Sequence, residues 1–114
     1  MHKTYTKNER NDKMKLLFFD KEELCTEIIV DKEQHTISVI NHTEDIMKRA
    51  FGNKMAVSWE DLEMFLESRC FERNRLDKTI LLKDIGLKTY DVWEIIKKTK
   101  GKKEEDNQWI EWIA

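Results

Sequence analysis

Short apolar runs separated by polar breaks predict β-strands in the first third of the chain. The first run, Lys15–Phe19, is typical of a strand or a brief buried segment. Leu24–Val30 and Thr36–Ile40 are rich in β-branched residues, and the polar residues 31–34 join them. This arrangement predicts an antiparallel hairpin. The connection lacks Asn-Gly and Asp-Gly, so its length is predicted only to within a residue or two.

Apolar residues recur at helical spacing from Ile46 onward. A short helix is predicted from Ile46 to Phe51, ending at Gly52. A second helix is predicted from Ser58 to Cys70, because an acidic residue lies three positions after the serine, as in a capping box.

Two further helices are predicted in the second half of the chain. Asp77 is the predicted cap of the first, which ends at Gly86 and places Ile80, Leu81 and Ile85 inward. Thr89 is the predicted cap of the next. That helix runs from Tyr90 to about Lys98, ends at Gly101 and turns Val92, Trp93, Ile95 and Ile96 inward.

The last apolar run, Trp109–Ile113, alternates at strand spacing. Trp109 and Glu111 share one face, and Ile110 and Trp112 share the other, so neither face is wholly polar. This pattern indicates a strand covered on both sides, or an edge strand whose outer face meets something. The predicted fold is therefore α+β: a small antiparallel sheet, made of the N-terminal hairpin and the C-terminal strand, packed with three or four short helices.

Length and composition limit the classes of function. The 114 residues predict one α+β domain, residues 14–114, after a flexible polar tail, residues 1–13. The net charge of −2 favours neither a dedicated nucleic-acid binder nor an acidic nucleic-acid mimic. No apolar run approaches the roughly 20 residues that span a bilayer. The start lacks a secretory signal and the two cysteines are far apart, so a cytoplasmic protein with free thiols is predicted.

Residues that could support catalysis are sparse. The three histidines are far apart, no His-x-x-x-His or Cys-x-x-Cys spacing occurs, and the three glycines are isolated. The chain is therefore predicted to hold no metal and no cofactor and not to be an enzyme. A nucleophilic pair of Cys25 or Cys70 with His35 or His42 stays open as an alternative.

Three arginines and two tryptophans are the candidate partner-binding residues. Arg69, Arg73 and Arg75 have guanidinium groups suited to phosphates or to a partner's carboxylates. Alternatively, they pair with neighbouring carboxylates, which are Glu67, Glu72 and Asp77. Trp109 and Trp112 lie on opposite faces of one strand, so at least one of them is a candidate anchor for a protein partner. Trp59 and Trp93, on apolar helix faces, are predicted to be core residues.

Four segments together resemble a known module: residues 68–75 (SRCFERNR), 81–87 (LLKDIGL), 90–101 (YDVWEIIKKTKG) and 105–110 (EDNQWI), preceded by Trp59. They are similar to a stretch near the N-terminus of some HipA-like kinase proteins. They also resemble short stand-alone proteins of Gram-positive bacteria and their mobile elements. The chain has no room for a kinase domain and no kinase motif, so no kinase residue is carried over. The resemblance implies an accessory or recognition module.

These observations predict a small, non-enzymatic binding or regulatory protein from a phage or mobile element that acts by protein–protein contact. Inhibition of a host defence nuclease is one form of this function. The alternative is a nucleic-acid-binding accessory protein that uses the Arg69, Arg73 and Arg75 patch.

Overall fold

The structure, a computed structural model, describes residues 13–113. The predicted tail, residues 1–13, lies outside this range except for Lys13, which begins the first strand. The elements are β1 (Lys13–Asp20), β2 (Glu23–Asp31), β3 (Thr36–Asn41), α1 (Trp59–Ser68), α2 (Lys78–Asp84), α3 (Val92–Thr99) and β4 (Gln108–Ile113). A 3₁₀ helix, Ile46–Lys48, lies between β3 and α1.

The four strands form one antiparallel sheet in the order β3-β2-β1-β4. The predicted hairpin is β2 and β3, with Ile28 opposite Val39. The first apolar run is a strand, β1, at the interior of the sheet. The C-terminal strand returns to pair with it, and Leu17 lies opposite Glu111. The predicted α+β fold is confirmed.

Strand alternation gives the sheet two faces of different character. On the inner face, β1 and β2 bury apolar side chains that meet buried residues of all three helices. The buried core consists of Leu16, Phe18, Cys25, Ile28, Val30, Leu62, Leu66, Cys70, Leu82, Ile95, Ile96 and Ile110. A β-bulge shifts the β1–β2 register between Phe18 and Phe19, which leaves Cys25 as an extra residue beside Thr26. The helices therefore cover one face of the sheet.

Helix α1 begins as the sequence predicts. The hydroxyl of Ser58 accepts the Asp61 N–H at 3.1 Å, and the Asp61 carboxylate accepts the Ser58 N–H at 2.9 Å. This reciprocal capping box satisfies two donors that the first helical turn leaves free. The Ser58 N–H, followed by Lys54, lowers the pKa of Asp61.

The start and the buried face of α2 differ from the prediction. Asp77 occupies the N-cap position, but its carboxylate binds the Arg75 Nε at 2.7 Å and makes no capping bond. Ile80 is 64% exposed, whereas Leu82 is buried. Leu82 and Ile85, three positions apart, are the residues of this segment that pack in the core, and Ile80 falls outside that face.

Helix α3 begins later than predicted. Thr89 is not its cap, because the Asp91 carboxylate accepts the N–H groups of Trp93 at 3.0 Å and Glu94 at 3.4 Å. The helix therefore starts at Val92 and not at Tyr90. Its end follows the prediction closely, with Gly101 in the left-handed region at φ 62°.

The helix predicted from Ile46 to Phe51 is only a three-residue 3₁₀ helix. The Ala50 N–H, which an α-helix would direct to the Ile46 carbonyl, bonds instead to the Thr26 hydroxyl at 3.1 Å. The Ile46 carbonyl accepts the Arg49 N–H, three residues on. A contact with the sheet thus overrides the local helical pattern.

Candidate functional site

Arg69 is buried inside the fold and is not available to a partner. It is only 7% exposed, and its guanidinium forms a bidentate pair with Asp106, with N–O distances of 2.8 and 2.9 Å. Its remaining bonds go to the carbonyls of Gly101 and Gln108, both at 2.9 Å. The guanidinium lowers the pKa of Asp106. The prediction that Arg69 contacts a partner is therefore wrong: it ties the end of α1 to the connection before β4.

Gly101 permits this arrangement because it has no side chain. A Cβ at Gly101 would lie 3.1 Å from Ile110 Cδ1 and 3.3 Å from the Arg69 Cβ. Its left-handed backbone also disfavours other residues. The helix terminator predicted from sequence is therefore also the point where Arg69 approaches the backbone.

Arg73 and Arg75 lie on the surface, each beside a carboxylate. Arg73 is 3.0 Å from Glu67, and Arg75 is 2.7 Å from Asp77. Both side chains are about half exposed, so these ion pairs are solvated. The Arg73 guanidinium also lies over the Tyr90 ring, 4.4 Å from its centroid. The predicted pairing with neighbouring carboxylates is therefore present for both arginines. Because both are exposed, they stay candidate contacts for a partner.

The thiols are buried and are not paired with histidines. Burial, followed by the charge of Glu67, raises the pKa of Cys70 to about 12, which disfavours its thiolate. The two histidines considered as possible partners are engaged elsewhere. His42 contacts Glu27 at 2.6 Å, and His35 stacks on Trp59 at 4.5 Å. The structure does not assemble the alternative cysteine–histidine site.

Neither a metal-ligating cluster nor an unpartnered buried polar side-chain atom occurs within residues 13–113. No group of three or more histidines, cysteines or acidic residues in this range could hold a metal ion. No buried side-chain nitrogen or oxygen of these residues lacks a hydrogen-bond partner. An open cleft of about 430 Å³ beside Arg73 and Tyr90 has mixed walls of acidic, basic and aromatic residues. None of the helices formed by these residues has the length and apolar character needed to cross a membrane.

Three tryptophans form a continuous row on the helix side of the sheet, and the sequence pattern does not predict this row. Trp59 and Trp93 stack with centroids 5.8 Å apart, and Trp112 meets Trp93 edge to face at the same distance. His35 extends the row by stacking on Trp59. Lysines lie over two of these rings, Lys32 over Trp93 and Lys97 over Trp112. Trp112 is thus part of a partly buried cluster rather than an isolated anchor.

Trp109 lies on the opposite face of β4, as predicted. Its ring stacks on Phe19 with centroids 4.5 Å apart and an interplanar angle of 10°. Its indole N–H donates to the Lys21 carbonyl at 2.7 Å, which fixes the ring orientation. The amines of Lys100 and Lys102 lie about 6 Å from the ring centroid. The pair forms a rigid, partly exposed aromatic platform.

This platform belongs to a larger apolar surface that no described helix covers. We call it the outer face. Its apolar members are Leu17, Phe19, Leu24, Ile29, Ile40, Trp109 and Ile113, and none of them is buried. Ile40 and Ile113 are each 45% exposed.

The charges on the outer face neutralise one another. Glu27 lies 3.4 Å from Lys15 and 2.6 Å from His42. The hydrogen bond from His42 is the main cause of a lowered pKa at Glu27. Glu111 lies 3.9 Å from Lys100. The outer face therefore presents apolar area in which the carboxylates of Glu27 and Glu111 are each paired with a basic group.

Comparison with protein-family models, curated proteins and solved structures finds no match to this chain. The suspected similarity to the N-terminal module of HipA-like kinase proteins stays an expectation from the sequence.

Proposed function

We propose that this chain is a small non-enzymatic binding protein that acts by protein–protein contact through its outer face. The observation that carries the proposal is the one-sided packing of the sheet: the helices cover the inner face, while the outer face retains partly exposed apolar side chains. Contiguous apolar area of this kind marks interaction sites in proteins. Inhibition of a host defence nuclease by a phage or mobile-element protein is one form of this function.

The stacked pair of Trp109 and Phe19 supports this proposal as an anchor. Binding energy concentrates in a few aromatic residues that are held rigidly before the partner arrives. The Trp109 ring is already fixed by its stack and by its bond to the Lys21 carbonyl. Little side-chain entropy is left to lose when a partner covers it.

The test is affinity capture with matched surface variants. The immobilised wild-type chain, Ile113→Lys on the outer face and Ile80→Lys on α2 are exposed to a Gram-positive lysate, and retained proteins are identified. Both substitutions replace an exposed isoleucine, 45% and 64% exposed, so both variants should fold.

The expected result is a partner retained by the wild type and by Ile80→Lys but lost with Ile113→Lys. Titration with the purified partner should then show at least a tenfold weaker Kd for Trp109→Ala. Recovery of no partner, or equal recovery by all three proteins, would overturn the proposal.

Nucleic-acid binding, the alternative function, receives less support from the arginine geometry. Arg69 is buried, and Arg73 and Arg75 each lie against a carboxylate that a phosphate would have to displace. Titration of the wild-type chain with duplex and single-stranded DNA or RNA at low salt tests this function. Affinity that falls steeply with salt would favour it over protein contact.

A further inference from the structure

The sheet has two edges, and the edge at β4 is covered. In the β1–β4 pairing, alternate residues of β4 direct their backbone groups away from the sheet. The Ile110 N–H, which points outward, donates to the Lys100 carbonyl at 2.7 Å. The outward carbonyl of Gln108 accepts from Arg69. Contacts from Lys100 and Arg69 thus close much of this edge to another strand.

The edge at β3 is open within the described part of the chain. The His42 N–H donates to the Cys25 carbonyl at 2.8 Å, so residues 36, 38 and 40 bond to β2 while Ile37, Val39 and Asn41 direct their backbone groups outward. No backbone–backbone bond within residues 13–113 reaches the outward groups of these three residues.

Strand β3 also lacks the features that proteins use to protect an edge. Exposed edges are ordinarily guarded by charged residues, proline or a bulge. Thr36–Asn41 contains no charged residue and no proline, although 39% of the chain is charged. The bulge of this sheet lies in the β1–β2 pairing and does not distort the β3 edge.

We propose that β3 pairs with β3 of a second copy of this chain, antiparallel and about a two-fold axis. With the axis at Val39, the outward-bonding residues meet one another: Val39 lies opposite Val39 of the second copy, and Ile37 lies opposite its Asn41. Every directly opposed pair is uncharged from residue 37 to residue 41, so self-pairing meets no like-charge repulsion. This inference concerns the edge and does not depend on the function proposed for the outer face.

The area of this contact predicts a weak dimer. Pairing over residues 36–42 is roughly 24 Å long, at about 3.4 Å per residue, and a sheet occupies roughly 10 Å in depth. Both copies together then bury on the order of 500 Å², less than the roughly 1,200 Å² of stable interfaces. Exposed apolar side chains on and just after β3, at Ile40, Ile46 and Met47, can add to this area. A dissociation constant in the micromolar range or weaker is expected.

Sedimentation velocity on the full chain from about 1 μM to about 1 mM tests the dimer. The wild type should shift from monomer to dimer with little dependence on salt, because the opposed residues are uncharged. Val39→Pro removes an outward N–H without breaking a bond to β2, so it should remain monomeric at every concentration. Val39→Thr keeps the N–H and the β-branched shape and should still dimerise.

Amide hydrogen exchange gives a second measurement that does not rely on a variant. Ser38 and Ile40 should exchange slowly at all concentrations, whereas Ile37 and Val39 should become protected only as the dimer forms. A chain that stays monomeric up to 1 mM, or a dimer that survives Val39→Pro, overturns the proposal. Val39 could instead exchange slowly at the lowest concentration and faster once residues 1–12 are deleted. That result would mean that residues 1–12 cover the edge, and it would overturn the proposal as well.

Discussion

Replacing Asp106 with asparagine should test whether the Arg69–Asp106 pair holds the fold together. The substitution preserves side-chain size but removes the charge that faces a buried guanidinium. Breaking one partner of a buried ion pair typically costs about 3–5 kcal/mol. Arg69 is 7% exposed, but the Asp106 side chain is 35% exposed, so water can partly replace the carboxylate. A loss of about 2–3 kcal/mol in the free energy of unfolding is expected.

The matched control is Glu67→Gln, which removes the carboxylate beside Arg73. Both side chains of that pair are about half exposed, so its loss should cost less than about 1 kcal/mol. Urea unfolding followed by tryptophan fluorescence measures both variants. With a urea m-value of about 1.5 kcal/mol/M, Asp106→Asn should lower the midpoint by about 1.3–2 M. Equal midpoints for the two variants would refute the assignment of Arg69 as a structural residue.

The pH dependence of the free energy of unfolding tests the same pair. Arg69 holds the pKa of Asp106 below its ordinary value, so the folded state binds this proton less readily than the unfolded state. The stabilisation is present above the ordinary aspartate pKa of about 3.9 and is lost as pH falls through the lowered value. The stability difference between wild type and Asp106→Asn should therefore narrow between about pH 5 and pH 2. A difference that widens on acidification would contradict this linkage.

Three further predictions concern single polar groups. Ser58→Ala removes one bond of the capping box and should lower the free energy of unfolding in urea by about 1 kcal/mol. An unchanged midpoint would show that the cap does not stabilise the fold. Thr26→Val leaves the Ala50 N–H without its acceptor, and about 1–3 kcal/mol of destabilisation is expected by thermal or urea unfolding. Cys70 is buried with a pKa of about 12, so iodoacetamide at pH 8 should modify it only after denaturant is added. Rapid modification of the native chain, measured by mass spectrometry, would show that this thiol is accessible.

Much of the fold was predictable because its signals are local. Alternation and β-branched residues mark β2 and β3, and the spacing of Ser58 and Asp61 marks the start of α1. Neither signal requires knowledge of a distant residue. The two faces assigned to the last strand follow from the period of two alone.

The predictions that were wrong share one cause: contacts that the local sequence pattern does not contain. Asp77 looks like a helix cap, but Arg75 takes its carboxylate. Arg69 looks like one of three equivalent surface arginines, yet its partner Asp106 lies 37 residues away. Short sequence windows contain no signal for a pair at that separation. The row formed by Trp59, Trp93 and Trp112 was not predicted for the same reason, since it joins two helices and a strand that are distant in sequence.

The position of β4 beside β1 has a consequence for the order of folding. Trp109 and Lys21, which are hydrogen-bonded, are 88 residues apart, and the pairing of β4 with β1 likewise joins residues far apart in the sequence. Strands β1 to β3 are adjacent in sequence and can pair early, whereas β1 keeps an open edge until β4 has been synthesised and docked. Long loop closure of this kind slows folding. On the ribosome, the nascent chain would thus expose one unpaired edge of β1 until β4, residues 108–113, has emerged and docked.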